Sequence, residues 1–272
     1  MSLPRKVNVT CPECKKAFQT TVFDSINTDY SPNIAESIIS GELFDVKCPH
    51  CGNIAHLEYD VLYHDIERGA MIWLLHPQTD SYEGTITEIR ATKTRGYKTT
   101  RIVSDVNELR EKVACLEAGV DDCVIELCKV FIEAQLLRQN PDFHLRNSFY
   151  TYAGGKHIVF IYDTTGKEMS CYLEDELYGM IEILFKKPLM EMSINQYSII
   201  NHSWAVDFFN ELPDTEQSDD EITSYEKNGP IQKEAETELS EEKPRAQFCR
   251  KCGAKLISDS IYCGYCGTKV VY

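Results

Sequence analysis

Two cysteine pairs, Cys11-Pro12-Glu13-Cys14 and Cys48-Pro49-His50-Cys51, decide how the first part of this chain folds. A C-x-x-C pair places two thiolates on one tight turn, so each pair supplies half of a tetrahedral Zn²⁺ shell. Two pairs complete the shell and leave no position for water, which favours a structural metal over a catalytic one. The sequence therefore predicts a closed four-cysteine zinc site.

The residues around the pairs alternate in the way expected of strands that enter and leave hairpins. The four predicted strands cover residues 5–10, 18–22, 43–46 and 54–61. A short helix is predicted over residues 33–40 and ends at Gly41, because glycine commonly terminates a helix in the left-handed conformation. The 33 residues between Cys14 and Cys48 are too many for a bare loop. The pattern thus indicates a zinc ribbon with a helical insertion between its two hairpins.

The motifs in this region resemble the bacterial and archaeal CpXC domain family. They are the paired Cys-Pro-x-Cys motifs, Ile26-Asn27, Ser40-Gly41-Glu42-Leu43-Phe44 and Leu62-Tyr63-His64-Asp65. The resemblance is strongest over residues 7–76 and continues more weakly to about residue 138. Since this family is known as functionally uncharacterised, the resemblance implies a zinc-binding fold and no particular activity.

One residue departs from the pattern expected of a cysteine-pair turn. Gly52 follows the second pair, but Lys15 follows the first. Glycine is favoured there because it adopts positive φ without a Cβ clash. We expect Lys15 to strain the first turn modestly without removing a metal ligand.

Farther along, hydrophobic patterning predicts a buried strand and two helices. Residues 69–76 form a continuous apolar run, whereas the polar, turn-rich residues 78–100 favour a hairpin. A helix capped by Ser104 and ended by Gly119 follows. The next helix, over residues 123–137, is apolar nearly all round and is therefore expected to be buried.

The pattern then changes to alternation with a period of two. Three predicted strands at residues 149–152, 158–162 and 169–173 form a meander, with Gly154-Gly155 as a hairpin turn. A helix at 174–185 and an apolar segment at 194–209 follow. The predicted fold class is α+β: a zinc-ribbon-like β domain, helices, a three-stranded antiparallel meander and a small C-terminal zinc ribbon.

The chain is predicted to divide into four segments. These are a CpXC-like zinc-binding domain at 1–138, an α+β module packed on it at 139–210, an acidic disordered linker at 211–245 and a zinc ribbon at 246–272. Residues 211–243 carry a net charge of -9 and few large apolar groups. Such a composition cannot offset the entropy of ordering.

The last segment holds a second set of four cysteines. Cys249, Cys252, Cys263 and Cys266 form two C-x-x-C pairs, each followed by glycine. The segment resembles the short zinc-ribbon modules found at the ends of many bacterial proteins. A module this small depends on metal affinity for its folding energy, so we expect two structural zinc ions per chain.

Other polar residues offer weaker alternatives. His56, His64 and His76 with Asp65 suggest a second metal site, although plain strand-edge residues are the favoured interpretation. His50 is a donor to a thiolate or, more simply, a solvent-facing turn residue. Cys115, Cys123, Cys128 and Cys171 belong to no pair and are expected to be core thiols. Asp121 and Asp122 fit two interpretations equally well: catalytic carboxylates, or acids at the start of a helix.

These observations favour a cytoplasmic, non-enzymatic interaction or adaptor protein with no catalytic residues. The start of the chain lacks a secretory signal, and twelve cysteines in a reducing compartment indicate metal and not disulfides. Protein is the expected partner, and no membrane is expected. The net charge of -15 argues against general nucleic-acid binding.

Two other classes of function remain open. One is an enzyme with a pocket in residues 101–209, lined by His144, His157 or Asp121-Asp122. The other is a nucleic-acid-associated regulator that acts through the basic terminal ribbon. Its candidate contacts are Arg250, Lys251, Lys255 and Lys269.

Overall fold

A computed structural model describes residues 2–31, 33–77, 81–92, 96–192, 194 and 196–212. Its strands are β1 (Leu3–Thr10), β2 (Ala17–Asn27), β3 (Asp45–Lys47), β4 (Ile54–His56), β5 (Val61–Asp65), β6 (Ala70–Leu74), β7 (Thr99–Val103), β8 (Leu145–Ala153), β9 (Lys156–Asp163) and β10 (Glu168–Tyr172). Its helices are α1 (Ile34–Ser40), α2 (Tyr82–Ala91), α3 (Val106–Ala118), α4 (Asp122–Gln139), α5 (Asp175–Glu191) and α6 (His202–Glu211). The predicted α+β class is confirmed.

A mixed five-stranded sheet in the order β1-β2-β5-β6-β7 organises the first half of the chain. β1 and β2 form an antiparallel hairpin, and the last residues of β2 run parallel to β5. β5 pairs antiparallel with β6, and β6 pairs parallel with β7. The predicted strand over residues 54–61 is in fact divided, because β4 pairs with β3 in a separate two-stranded sheet and β5 joins the larger one.

The predicted hairpin in residues 78–100 is wrong, because the described part of this segment contains helix α2. Two parallel neighbours such as β6 and β7 need a crossover connection, which a helix supplies. Ile86 and Ile89 are spaced three apart and are buried against Leu75, Ile102 and Tyr197. This helical spacing was present in the sequence among many polar residues.

Helix α3 lies between the two largest apolar clusters. Leu109 and Val113 pack with the sheet and α1, whereas Ala114 and Cys115 pack with α4 and the meander. Its N-cap is Asp105 and not the predicted Ser104, since the Asp105 side chain accepts from two backbone N–H groups of the first turn. The predicted end at Gly119 is confirmed by its φ of 71°.

The second half forms the predicted three-stranded antiparallel meander in the order β10-β9-β8. Gly154 and Gly155 make the predicted turn, with φ of 59° and 75°. Helix α5 extends beyond the predicted residue 185 and contains Pro188. Helices α5 and α6 bury Ile181 and Phe208 in the same cluster as α4.

Candidate metal centre

The two cysteine pairs lie on turns with the same backbone design. In the first turn, between β1 and β2, the N–H of Cys11 donates to the carbonyl of Lys16 at 3.0 Å. In the second, between β3 and β4, the N–H of Cys48 donates to Asn53 at 2.7 Å. The residue after each pair donates back to the first cysteine, at 3.0 Å from Lys15 and 2.9 Å from Gly52. Each hairpin therefore presents two sulfurs on one side of its turn.

The two turns bring all four sulfurs together. The Sγ atoms of Cys11, Cys14, Cys48 and Cys51 lie within 4.8 Å of one another. Between the pairs, Cys11 lies 3.6 Å from Cys51, and Cys14 lies 3.7 Å from Cys48. Zn–S bonds of about 2.3 Å in a tetrahedron require sulfurs about 3.8 Å apart. Four soft donors at these separations fit Zn²⁺.

The protonation of the cluster also favours a bound cation. The backbone N–H groups of Cys14 and Glu13 favour the thiolate of Cys11 and lower its pKa to about 7. The N–H of Asn53 favours the Cys51 thiolate, but desolvation and the three neighbouring sulfurs outweigh it and raise the Cys51 pKa to about 12. The Cys11 thiolate therefore forms readily, whereas a cation among the sulfurs would favour loss of the Cys51 proton.

Apolar packing around the sulfurs is sparse. Cys11 and Cys48 are buried with Phe18, and only Val9 and Val46 add further apolar packing besides Cys14. The second hairpin is a two-stranded sheet of its own, an arrangement that is only marginally stable in water. The sulfurs and the ion that they fit therefore link the hairpins where apolar packing is sparse.

The backbone strain expected at Lys15 is present, because this non-glycine residue adopts a positive φ. Lys15 has φ of 59° and the equivalent Gly52 has φ of 77°. Both turns thus need a residue in the left-handed region, and the first turn supplies one that carries a Cβ.

The histidines of this region have separate partners. His56 contacts Asp45 at 3.0 Å and His76 contacts Asp60 at 3.1 Å. His64 contacts the hydroxyl of Tyr97, and Asp65 accepts from Arg68. Within the described ranges, the structure gathers none of these histidines into a metal-binding cluster.

The sequence allows two roles for His50. In the structure its side chain is exposed. Its Nε2 lies 3.4 Å from the backbone carbonyl of Ala17. This contact joins the second turn to the first β-hairpin and does not involve a thiolate.

Sequence reasoning missed a buried ionic cluster between α3, α4 and β7. Arg101 binds Asp122 through two hydrogen bonds of 2.8 and 2.9 Å. The Lys112 ammonium lies 3.0 Å from Glu126 and 3.3 Å from Asp122. The members of this network, each less than a tenth exposed, are Arg101, Glu111, Lys112, Asp122, Glu126 and Lys129. The signal in the sequence was the spacing of Glu126 and Lys129, three positions apart within a largely apolar stretch of α4.

The charges within this network set one another's protonation. Burial alone would raise the pKa of Asp122, but ion pairing with Lys112 and Arg101 lowers it. Burial together with the charge of Glu126 raises the pKa of Glu111 to about 8. Glu111 is held by Lys129 at 2.9 Å and by the backbone N–H of Tyr150 at 2.6 Å. The network therefore fixes α3, α4 and β8 relative to one another.

A cleft of about 370 Å³ opens beside the network. It is lined by Asp121 and Asp122 but not by His144 or His157, which the sequence offered as alternatives. Asp121 caps α4 by accepting from the N–H of Cys123 at 2.7 Å. With Asp122 held by Arg101, both carboxylates have structural partners, as the helix-start interpretation expects.

The unpaired cysteines are core thiols. Cys115, Cys123 and Cys128 are buried, and Cys171 is half-buried. Burial raises the pKa of Cys128 to about 12 and that of Cys171 to about 11, so these thiols are poor nucleophiles at neutral pH.

The fold and the four-sulfur cluster define the chain as a metal-binding protein of the zinc-ribbon type. The model of the CpXC protein family matches residues 9–129, and that of the zinc-ribbon domain matches residues 248–270. The chain is thus similar to CpXC proteins over residues 9–129 and to zinc-ribbon domains over residues 248–270, as the sequence motifs predict. No curated protein and no solved structure matches the chain.

The terminal ribbon itself lies outside the described residues. This applies to Cys249, Cys252, Cys263 and Cys266, to the four basic residues beside them and to the predicted linker from residue 213 onward. No helix in the described part of the chain combines the length and apolar content needed to cross a bilayer.

Proposed function

We propose that this protein is a cytoplasmic, non-enzymatic adaptor in which zinc holds two separate binding modules in shape. The observation that supports it best is the closed set of four cysteine sulfurs at tetrahedral separations. Four thiolates leave no open position for water or substrate on the metal. The metal site therefore has a structural role: it stabilises the binding surface and catalyses no reaction.

In this proposal the chain binds two zinc ions. Cys11, Cys14, Cys48 and Cys51 hold the first, and Cys249, Cys252, Cys263 and Cys266 hold the second. The acidic residues 211–245 join the two modules. Each module then contacts a different protein.

The adaptor role is tested by affinity capture from the native cytoplasm. The full chain is compared with a chain that ends at Leu212 and with a full chain carrying Cys48→Ser. We expect each change to remove a different subset of the captured proteins. Identical protein sets from all three samples would overturn the adaptor proposal.

The second candidate function is an enzyme that uses the cleft beside Asp121 and Asp122. A thermal-shift screen with small metabolites tests it. A metabolite that stabilises the wild type but not Asp121→Asn, in which the helix cap is preserved, would favour the enzyme over the adaptor.

A nucleic-acid role rests on the net charge of +4 in residues 244–272. Salt-dependent binding of RNA or DNA by the full chain, lost when the basic residues near the terminal cysteines are replaced, would favour it. Absence of binding at low salt would eliminate it.

A further inference from the structure

The outer face of helix α5 exposes large apolar side chains to solvent. Ile183 is 76% exposed, Met190 77% and Leu184 56%, whereas Ile181 on the opposite side is 1% exposed. Scattered apolar residues are ordinary at a protein surface, but a contiguous apolar patch marks an interaction site. Ile183 and Met190, two turns apart, lie on one face of the helix, and Leu184 lies beside that face.

Six exposed or half-buried residues of α5 are spaced three or four positions apart. With 3.6 residues per turn, such positions fall on one face. The stripe consists of Glu176, Gly179, Met180, Ile183, Lys187 and Met190. A Cβ built on Gly179 would meet nothing within 4 Å. This gap in the stripe leaves room for another backbone to approach closely.

Within the stripe, the acidic residue and the basic residue lie near opposite ends. Asp175 and Glu176 lie in the first turn, and Lys186 and Lys187 lie three turns later. Lys187 has a weak contact of 3.8 Å with Glu191, in which both side chains are mostly exposed. An identical helix running in the opposite direction would place acids beside lysines at both ends.

We propose that α5 is a dimerisation surface that packs antiparallel against α5 of a second copy of this chain. The two-fold axis passes between Ile181 and Glu182. Glu176 of each copy then faces Lys187 of the other, and Met180 faces Ile183. A two-fold interface requires a self-complementary surface, and the charge pattern of this stripe meets that requirement.

The expected dimer is weak. A helix of 17 residues is about 25 Å long, so one helix pair is smaller than a standard interface of about 800 Å² per partner. The monomer and the dimer should therefore exchange with concentration. A dimer of this kind would give the proposed adaptor two copies of each module, but it does not depend on that function.

Sedimentation equilibrium of the zinc-loaded full chain tests the proposal over a range of concentrations. The wild type should show a reversible monomer-dimer equilibrium. Ile183→Glu should weaken it about 100-fold, because the substitution places a charge at the centre of the interface in both copies. Ile66→Glu is the matched control, since Ile66 is 51% exposed but far along the chain in a turn, and it should leave the equilibrium unchanged.

Charge exchange identifies the pairing. Glu176→Lys and Lys187→Glu should each weaken the homodimer about tenfold, because two surface pairs are lost in each. A mixture of the two variants should restore association, since every facing pair is then opposite in charge. No other occupant of the face predicts this restoration.

Three results would overturn the proposal. They are a wild type that stays monomeric at all concentrations, a dimer that Ile183→Glu leaves intact, and a mixture that associates no better than its components. Amine cross-links within one chain, from Lys187 to lysines after residue 212, would likewise overturn it by showing that the chain's own C-terminal segment covers α5.

Discussion

The four-cysteine cluster and the ionic network between α3 and α4 solve the same problem in opposite ways. The network lies inside the molecule, and two of the four cysteines of the cluster are buried. Unpaired charge is costly at buried positions. The network places three basic groups within hydrogen-bonding distance of three acidic ones. The cluster offers four acidic groups and contains no basic one. One region therefore carries its own counter-charge, and the other needs a cation from outside.

This difference predicts that metal controls only one of the two regions. The hairpins around Cys11 and Cys48 have little apolar packing, whereas α3 and α4 lie within the two largest apolar clusters. Loss of zinc should thus release the hairpin turns and leave the helices in place.

The largest effect is expected from Cys48→Ser. Zinc binding to structural sites contributes of order 10 kcal/mol of folding free energy, and a three-thiolate site loses most of it. Hydrogen exchange should show that residues 8–18 and 45–56 lose protection, while α3 and α4 keep theirs. The matched control is Cys128→Ser, which should change no zinc content. Simultaneous loss of protection in α4 would contradict the prediction that the helices stay folded without zinc.

Lys112→Met should cost about 3–5 kcal/mol of unfolding free energy, because it removes one of the buried cations that pair with Glu126 and Asp122. Denaturant unfolding of the zinc-loaded chain measures this cost. Lys6→Met, the same change at an exposed position of β1, should lie within about 0.5 kcal/mol of wild type. A cost below about 1 kcal/mol for Lys112→Met would show that the network does not hold the helices.

The two turns of the cluster offer a finer comparison. Lys15→Gly should bind zinc about fivefold more tightly, because removal of a left-handed non-glycine residue gains about 1 kcal/mol. Gly52→Lys should bind about fivefold more weakly for the same reason. Competition with a chelator measures both, in a chain whose terminal cysteines are replaced by serine. Equal affinities in the two variants would contradict the backbone argument.

The smallest effect is expected at the edge of the helical core. His202 contacts Glu133 at 2.7 Å, and this hydrogen bond raises the pKa of His202. A raised pKa stabilises the fold below the unfolded value of about 6.5 and ceases to do so as pH rises through the folded value.

His202→Gln should therefore lower the unfolding free energy at acid pH, and the difference from wild type should shrink as pH rises. The side chain of His202 is 42% exposed, so the effect should stay below about 1 kcal/mol. In a Glu133→Gln background the same substitution should have no pH-dependent effect. A difference that grows with pH would contradict this assignment.

Much of the metal site was predictable from sequence because it depends on local spacing. The C-x-x-C pairs, the positive φ after each pair and the end of α1 at Gly41 each involve a few neighbouring residues. The assembly of Cys11 with Cys51 also followed, since a four-thiolate shell has few other solutions.

The remainder depends on contacts between distant residues. The ionic network joins β7 to α4 through Arg101 and Asp122, which are 21 positions apart, and no local pattern states which charges will meet. Helix α2 was missed because Ile86 and Ile89 form only a short stripe in a polar segment. The parallel pairing of β2 with β5 has no local signal either.

The most direct test of the account is X-ray absorption at the zinc edge. The sample is the chain in which Cys249, Cys252, Cys263 and Cys266 are replaced by serine, so that only the hairpin cluster remains. The account predicts one zinc per chain with four sulfur neighbours at about 2.3 Å. A zinc with nitrogen or oxygen in its first coordination shell, or a chain that purifies without zinc, would contradict it.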